Sequence, residues 1–505
     1  MTFLNQTILL RWVLPMALGI GILTYLITKS LVMQITCDEA YTVEILAKQP
    51  VWDLVSYKSS YTNNHILNTL LVKFLFFIFN SIDHSLARVP NIAAFILYFY
   101  YCFRFSQRYI ADNWLSLMFL SVMCCNPYLL DFFALIRGYG LSIGLMMASI
   151  YYAARFLLDN SEVDNPPRVL NSWRILGVSL GFSILSVYAQ FATLHFYLGL
   201  NLLIFLYLLK KFFENKDKKT FFKGIGVQFS GFLVLTCLLY APIKAILKDN
   251  QIAYYGKEGF WENTLSSMIT GSLYSQGYFS EHTIVVFKIL SLVSFFILTA
   301  YLGYILGEKS VGKSEKTYPS VFATLLFICT ALSTILQFHL LGNQYVVDRT
   351  ALFFYPLFAL LLPTIPLFLG RFKKRVGTFL CVLFIAFSIN HIKRGALLGS
   401  YREWWYDTHT YEILDFLKQE HEKTNKKQPL RLNTTWMFHP SFLYHRGKAK
   451  MEWLAPLSFN SSPDTLNVYD FYYTTRDEMP ALQSRYEKVK EWDYGQWILM
   501  KWKNK

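Results

Sequence analysis

Long apolar runs recur along the chain from Leu9 to about Ile392, separated by short polar connections, and then cease. They lie near residues 9–32, 86–103, 113–130, 138–157, 174–190, 194–209, 222–242, 284–306, 319–341, 350–369 and 376–392. A helix needs roughly 18 or more apolar residues to cross about 30 Å of hydrocarbon, so the pattern predicts about 11 spanning helices. The first run starts beside Arg11, is interrupted only by Lys29 and lacks a small-residue cleavage site, which marks a retained helix. Residues 65–80 are apolar but short and carry Lys73, so they are expected as an embedded or interfacial helix. They belong to a long connection over residues 34–84, with amphipathic pieces around 39–48 and 51–57.

After Ile392 the pattern changes. A helix is expected near residues 411–421 and strand-like runs near 430–437, 466–473, 486–492 and 496–502. Residues 393–505 therefore read as a small mixed α/β domain following an all-α polytopic membrane domain over 1–392. Trp404 and Trp405 suit an interfacial aromatic belt.

Composition agrees with a bilayer as part of the solvent. The 505 residues are 54% hydrophobic and only 16% charged, too apolar for a soluble domain of this length. The net charge of +15 is distributed unevenly. With a cytoplasmic N-terminus, alternate connections carry Arg104 and Arg108; Arg155, Arg168 and Arg174; Lys210 to Lys223; Lys309, Lys313 and Lys316; and Arg371 to Arg375. This is the basic inner face that the positive-inside rule requires. Asp38, Glu39, Asp131, Asp249 and Glu262 fall on the opposite face, as does the C-terminal segment. The basicity is thus topogenic, and no basic patch with stacking aromatics calls for nucleic acid. The seven cysteines show neither a disulfide framework nor a metal spacing.

Three places put charge where a bilayer protein should avoid it. Asp38 and Glu39 follow the first span directly; the structural alternative is a solvated helix start, which acids favour. Asp131 and Arg137-Gly138-Tyr139 flank an apolar turn between two spans, where an ion pair alone would also satisfy both charges. Arg349 opens a span in DRTALFFYPL, at the positive end of the helix dipole, a position that an anion such as phosphate relieves. Arg88 at another helix start and His65 after Asn63-Asn64 are further candidates, each with an anchoring or core role as its alternative. Carboxylates and guanidiniums gathered at one face suit a reaction that deprotonates one group and stabilises phosphate on another, and guanidinium matches phosphate oxygens better than ammonium does.

The order of these features resembles the GT-C superfamily of membrane glycosyltransferases, especially the bacterial group containing protein mannosyltransferases, aminoarabinose transferases and Rgt-like enzymes. The matching positions are Asp38-Glu39 after the first helix, Asn64-His65-Ile66-Leu67, Leu86-Ala87-Arg88-Val89-Pro90, Asp131, and Arg349 within its arginine-proline helix. Two departures stand out: Ile66-Leu67 replace a proline pair, and Arg137-Gly138-Tyr139 is placed by charge alone. The resemblance covers roughly residues 1–400. It implies transfer of a sugar from a polyprenyl-phosphate donor to a glycan, lipid or protein acceptor on the outer face of the plasma membrane, with inversion. It also implies that Asp38 is the base, with Glu39 beside it, and that His65 and Arg349 contact the donor phosphate. Three acids distant in sequence establish no metal site, and a divalent cation sharing the phosphate charge stays open. A lipid-linked sugar transporter is the chief alternative, but there is no inverted internal repeat and no Gly/Pro-broken helix pair in corresponding halves, and the charges gather at one face rather than the midplane. A non-catalytic envelope scaffold is the other.

A reporter fused after Lys505 is expected on the outer face. A cytoplasmic signal would mean that residues 65–80 cross the bilayer or that another helix went uncounted.

Overall fold

The computed structural model describes residues 3–58, 63–81, 83–159, 169–248, 256–274, 280–307, 318–362, 374–424, 428–460, 467–493 and 496–503. Arg168, Asp249, Lys309, Lys313, Lys316, Arg371 and Lys373, used above to orient the chain, lie outside them. The chain folds into two compact units, one formed by Met1–Thr28, Val51–Leu71 and Arg88–Ala396, the other by Lys29–Pro50, Val72–Ala87 and Leu397–Lys505.

The first unit is helical. Among the described residues, eight helices are long and apolar enough to cross a membrane: Gln6–Val32, His84–Tyr109, Gly138–Leu158, Ser172–Ala189, Phe191–Asn215, Lys218–Lys248, Pro319–Leu341 and Arg375–Gly395. Together they make this an integral, multi-pass membrane protein. The other three apolar runs take different forms. Residues 113–130 become two helices, Asn113–Cys124 and Pro127–Phe133, bent by 61°. Pro127 causes the break, because it cannot donate into the preceding turn, and Asn126 caps the new helix by accepting the Leu129 N–H at 3.0 Å. Residues 284–306 lie within one 27-residue helix, Glu281–Gly307. The run at 350–369 begins as a short 3₁₀ turn, Asp348–Ala351, and a helix, Phe354–Ala359; residues 363–369 lie outside the described part. Ile66–Phe79 is a helix of 14 residues. At 1.5 Å per residue that is roughly 21 Å, too short to span.

Gly138–Leu158 is the axis of this unit, with nearly every side chain buried. Small residues let its neighbours approach: a Cβ on Gly144 would lie 2.6 Å from the Ala94 carbonyl oxygen. Polar ladders replace the hydrophobic drive that a bilayer does not supply between helices. Ser186 Oγ donates to the Ser142 carbonyl at 2.9 Å and Ser179 Oγ to that of Ser149 at 2.9 Å.

The second unit contains a five-stranded sheet: β1 Leu432–Thr435, β2 Ser458–Asn460, β3 Phe471–Thr475, β4 Tyr486–Trp492 and β5 Trp497–Trp502, in the order β2-β1-β3-β5-β4. The β1 strand runs parallel to β2 and β3, whereas β5 pairs antiparallel with β3 and β4. Period-two alternation sends Leu432, Tyr473 and Leu499 into one core, with Leu414, Leu417 and Phe442 from the helices Thr410–Thr424 and His439–Lys448. Tyr472, Tyr486, Ile498 and Met500 form a second core. With both faces covered, β3 and β5 are buried over their first four residues, while edge strand β4 carries Glu487, Lys488, Lys490 and Glu491, which discourage further pairing.

One expectation is overturned here. Trp404 is 1% exposed and so does not line a membrane belt, while Trp405, partly buried, packs its ring 5.1 Å from Trp497 beside the sheet's core. Aromatic pairs suit a protein core as well as an interface, and composition does not distinguish the two.

Candidate functional site

In the first unit, His65, Arg137 and Tyr139 come together. Arg137 precedes the central helix in an extended conformation, and Gly138 starts that helix. A Cβ at Gly138 would lie 2.0 Å from the Ala189 carbonyl oxygen and 2.8 Å from the His65 Cβ, so only glycine lets these segments meet. The guanidinium is 2% exposed and donates from Nη1 to the backbone and side-chain oxygens of Asn63. It lies 5.8 Å from the centre of the Tyr139 ring, which in turn is 4.9 Å from the His65 ring.

The His65 Nδ1 faces the Ala189 carbonyl oxygen at 3.3 Å, while Nε2 is buried with no partner at hydrogen-bonding geometry. Burial, then the nearby Arg137 charge, hold its pKa well below that of an ordinary imidazole; Arg349 adds to this, and the Ala189 carbonyl and Gln190 side chain oppose it. His65 is therefore a neutral imidazole at physiological pH, its one N–H on Nδ1 directed at the Ala189 carbonyl and its bare Nε2 an acceptor.

Arg349 is half-buried beside Asp348, whose φ of 46° is left-handed and whose N–H is held by Ser267 Oγ at 2.9 Å. Asp131 lies buried in the short helix after the 61° bend and accepts the Tyr274 hydroxyl at 2.7 Å. Tyr274 is fully buried and has φ 54°, a backbone strain that a bulky residue rarely bears. Arg88 is also fully buried, one turn before Asn91. Asn91 donates to Asn68 at 2.8 Å and accepts the Leu141 N–H at 3.0 Å, tying Ile66–Phe79 to the central helix. The helix containing Arg88 starts at His84, leaving Pro90 in its interior rather than at its start.

A cavity of about 470 Å³ lies in the same unit, with apolar walls including Met268, Leu273, Phe358 and Phe384. Its polar rim includes Asn126, which caps the helix carrying Asp131, and Ser272, two residues before Tyr274. His391, also on the rim, faces the Ser272 carbonyl oxygen at 2.8 Å.

Asp38 and Glu39 belong to the second unit, in the helix Cys37–Tyr41. A capping box starts it: the Thr36 side chain accepts the Glu39 N–H at 3.4 Å, and the Glu39 carboxylate accepts the Thr36 N–H at 2.9 Å. Glu39 is fully buried in this role, whereas Asp38 stays partly exposed. The Cys37 N–H donates to Asp407 Oδ2 at 2.7 Å, and Ser441 Oγ donates to Asp407 Oδ1 at 3.0 Å. Burial, opposed by these hydrogen bonds and reinforced by the charges of Asp38 and Glu39, pushes the Asp407 pKa up to about 8.

The sequence reading missed Asp407, Ser441, Asn63 and Tyr274. Asp407 follows two tryptophans in an unremarkable turn, and only folding reveals that it is buried and partnered some 370 residues away. Among the described residues, no group of three or more His, Cys, Asp or Glu is arranged to hold a metal ion.

No protein-family model and no curated protein matches the chain. Among solved structures it is similar to ArnT from Cupriavidus metallidurans in the apo state, with a TM-score of 0.49 and 11% identity over 96% of this chain and 97% of that one. The same protein bound to undecaprenyl phosphate gives 0.47 and 10%, over 97% of each chain. The oligosaccharyltransferase AglB from Archaeoglobus fulgidus, in complex with an inhibitory peptide and a dolichol-phosphate, gives 0.40 and 9%, over 95% of this chain and 74% of that one.

Because the folded-state pKa of Asp407 lies above the ordinary 3.8, its protonated form favours the folded chain. That contribution is whole below the ordinary value and is lost as the pH rises through about 8. Thermal melts of the full chain in lipid should therefore fall in midpoint from about pH 5 to about pH 8, and Asp407→Asn should flatten that slope. An unchanged slope in the variant would mean that Asp407 does not titrate in this window.

Proposed function

We propose that the chain is a GT-C-type glycosyltransferase that moves a hexosyl or pentosyl group from a polyprenyl-phosphate donor to an envelope glycan, lipid or protein acceptor. The observation that carries this reading is the buried imidazole of His65 under the charges of Arg137 and Arg349, in a unit made of membrane-length helices. Guanidinium forks match phosphate oxygens, and a phosphate attached to an apolar chain suits a unit of membrane-length helices. The apolar cavity adds room for part of an isoprenoid tail.

In this mechanism Asp38, the more exposed acid of its pair, takes the proton from the acceptor hydroxyl. The acceptor oxygen attacks the anomeric carbon as the bond to the donor phosphate breaks, and a single displacement inverts the configuration. Arg137 and Arg349 stabilise the departing polyprenyl phosphate, with His65, Arg88 and Tyr139 shaping the donor end. Glu39 supports Asp38 through the capping box, and Asp131, oriented by Tyr274, is a second acid available to the acceptor. The catalytic residues face the outer side of the bacterial inner membrane, with the N-terminus cytoplasmic and the C-terminal segment outside.

Purified protein in lipid, given a panel of radiolabelled polyprenyl-phosphate sugars and envelope extract as acceptor, should consume at least one donor. Asp38→Asn should lower that turnover by about a hundredfold or more, the scale of a lost general base. Consumption of no donor would favour the transporter or scaffold reading, and full turnover by Asp38→Asn would move the base elsewhere. Arg349→Lys keeps the charge but loses the fork of donors, so it should raise the donor KM or lower kcat about tenfold in a protein that melts normally. Unchanged donor kinetics would remove Arg349 from the phosphate.

A further inference from the structure

We infer that Asp407 is a positioning residue for the acidic turn, its carboxyl group fixing the backbone from which Asp38 projects. The inference rests on the reading of Asp38 as the base and goes beyond it, since it gives the C-terminal segment a part in the reaction. The geometry is specific. Asp407 is 2% exposed, and its two oxygens accept from two separate pieces of chain, Oδ2 from the Cys37 N–H at 2.7 Å and Oδ1 from Ser441 Oγ at 3.0 Å. Cys37 is the first residue of the helix whose second residue is Asp38. The first N–H groups of a helix have no partner within it, and here Asp407 takes one of them.

The neighbouring contacts make the hold rigid. Gln34 Nε2 donates to the Thr408 carbonyl at 3.0 Å, and Gln34 Oε1 accepts the Tyr411 N–H at 3.0 Å, so the segment before the acidic turn is also clamped to the residues that directly follow Asp407. The 3₁₀ turn Trp405–His409 and the Thr410 hydroxyl, which donates to the Asp407 carbonyl at 3.1 Å, fix Asp407 in turn. An asparagine has one side-chain acceptor, so it can accept from only one of Cys37 and Ser441 and turns an N–H toward the other. A carboxyl group is costly in this place, because burial and the adjacent Asp38 and Glu39 all oppose its ionisation. What the carboxyl uniquely supplies is two oxygens, one meeting the Cys37 N–H and the other the Ser441 hydroxyl, that together set the angle of the acidic turn.

The test uses the full chain in lipid nanodiscs, with Asp407→Asn and Ser441→Ala read by hydrogen–deuterium exchange and by turnover of the radiolabelled polyprenyl-phosphate sugars. Asp407→Asn should speed exchange across residues 36–41 up to about tenfold, the scale of one disrupted hydrogen bond, while β1, β3 and β5 stay protected. In the same variant kcat should fall at least about tenfold with donor KM unchanged, because the base is misplaced and the phosphate contacts are untouched. Ser441→Ala should move both readouts the same way to a smaller extent, and it carries the test if Asp407→Asn fails to fold. Unchanged exchange at 36–41 in a folded variant would overturn the proposal, as would faster exchange with native kcat. If the native protein consumes no donor, the glycosyltransferase reading falls on its own, and the exchange result alone decides whether Asp407 holds the turn.

Discussion

The low dielectric of the bilayer is the constraint on which the rest depends. A charge cannot be left along a spanning helix, and a backbone polar group there must be satisfied within the protein. The first unit obeys this by pairing helices through small residues and serine hydroxyls and by confining its arginines to helix ends. Arg137 shows what that confinement costs: it sits buried at the N-terminal, positive end of the most buried helix, with Asn63 oxygens as acceptors. The close approach permitted by Gly138 puts His65 into the same field and keeps it neutral. Packing of the scaffold and electrostatics of the candidate site are therefore one problem with one solution.

The acidic turn is solved differently. Its helix is too short to be stable by propensity, so it is held by a capping box and by groups from the C-terminal segment. Three carboxyls, Asp38, Glu39 and Asp407, lie within electrostatic reach of one another. Glu39 and Asp407 are spent on backbone N–H groups, leaving Asp38 as the partly exposed one. This division of labour follows from hydrogen bonding rather than from the order of the residues, and it separates two neighbouring acids that look equivalent in a linear reading. Strain of the kind seen at Tyr274 and Asp348 accompanies Asp131 and Arg349, consistent with backbone conformations held by the surrounding structure rather than by local preference.

Much of the architecture was legible in the chain itself. The length and spacing of apolar runs determine where membrane-length helices form, because a helix must satisfy its own backbone over about 30 Å and apolar side chains must cover it. The shortness of the 65–80 run, the helix near 411–421 and the strands near 430–437, 486–492 and 496–502 were readable by the same periodicities. So were the candidate charges, since Asp38, Asp131, Arg137 and Arg349 stand out against apolar surroundings. What only the tertiary structure decided is which of these charges meet and which are already engaged. The burial of Trp404, the clamp of Gln34, and the pairing of Asp407 with Cys37 all depend on contacts between segments far apart in sequence. Local patterns encode burial and length, but a hydrogen bond between residues hundreds of positions apart leaves no periodic trace, so the partners of a charge belong to the fold.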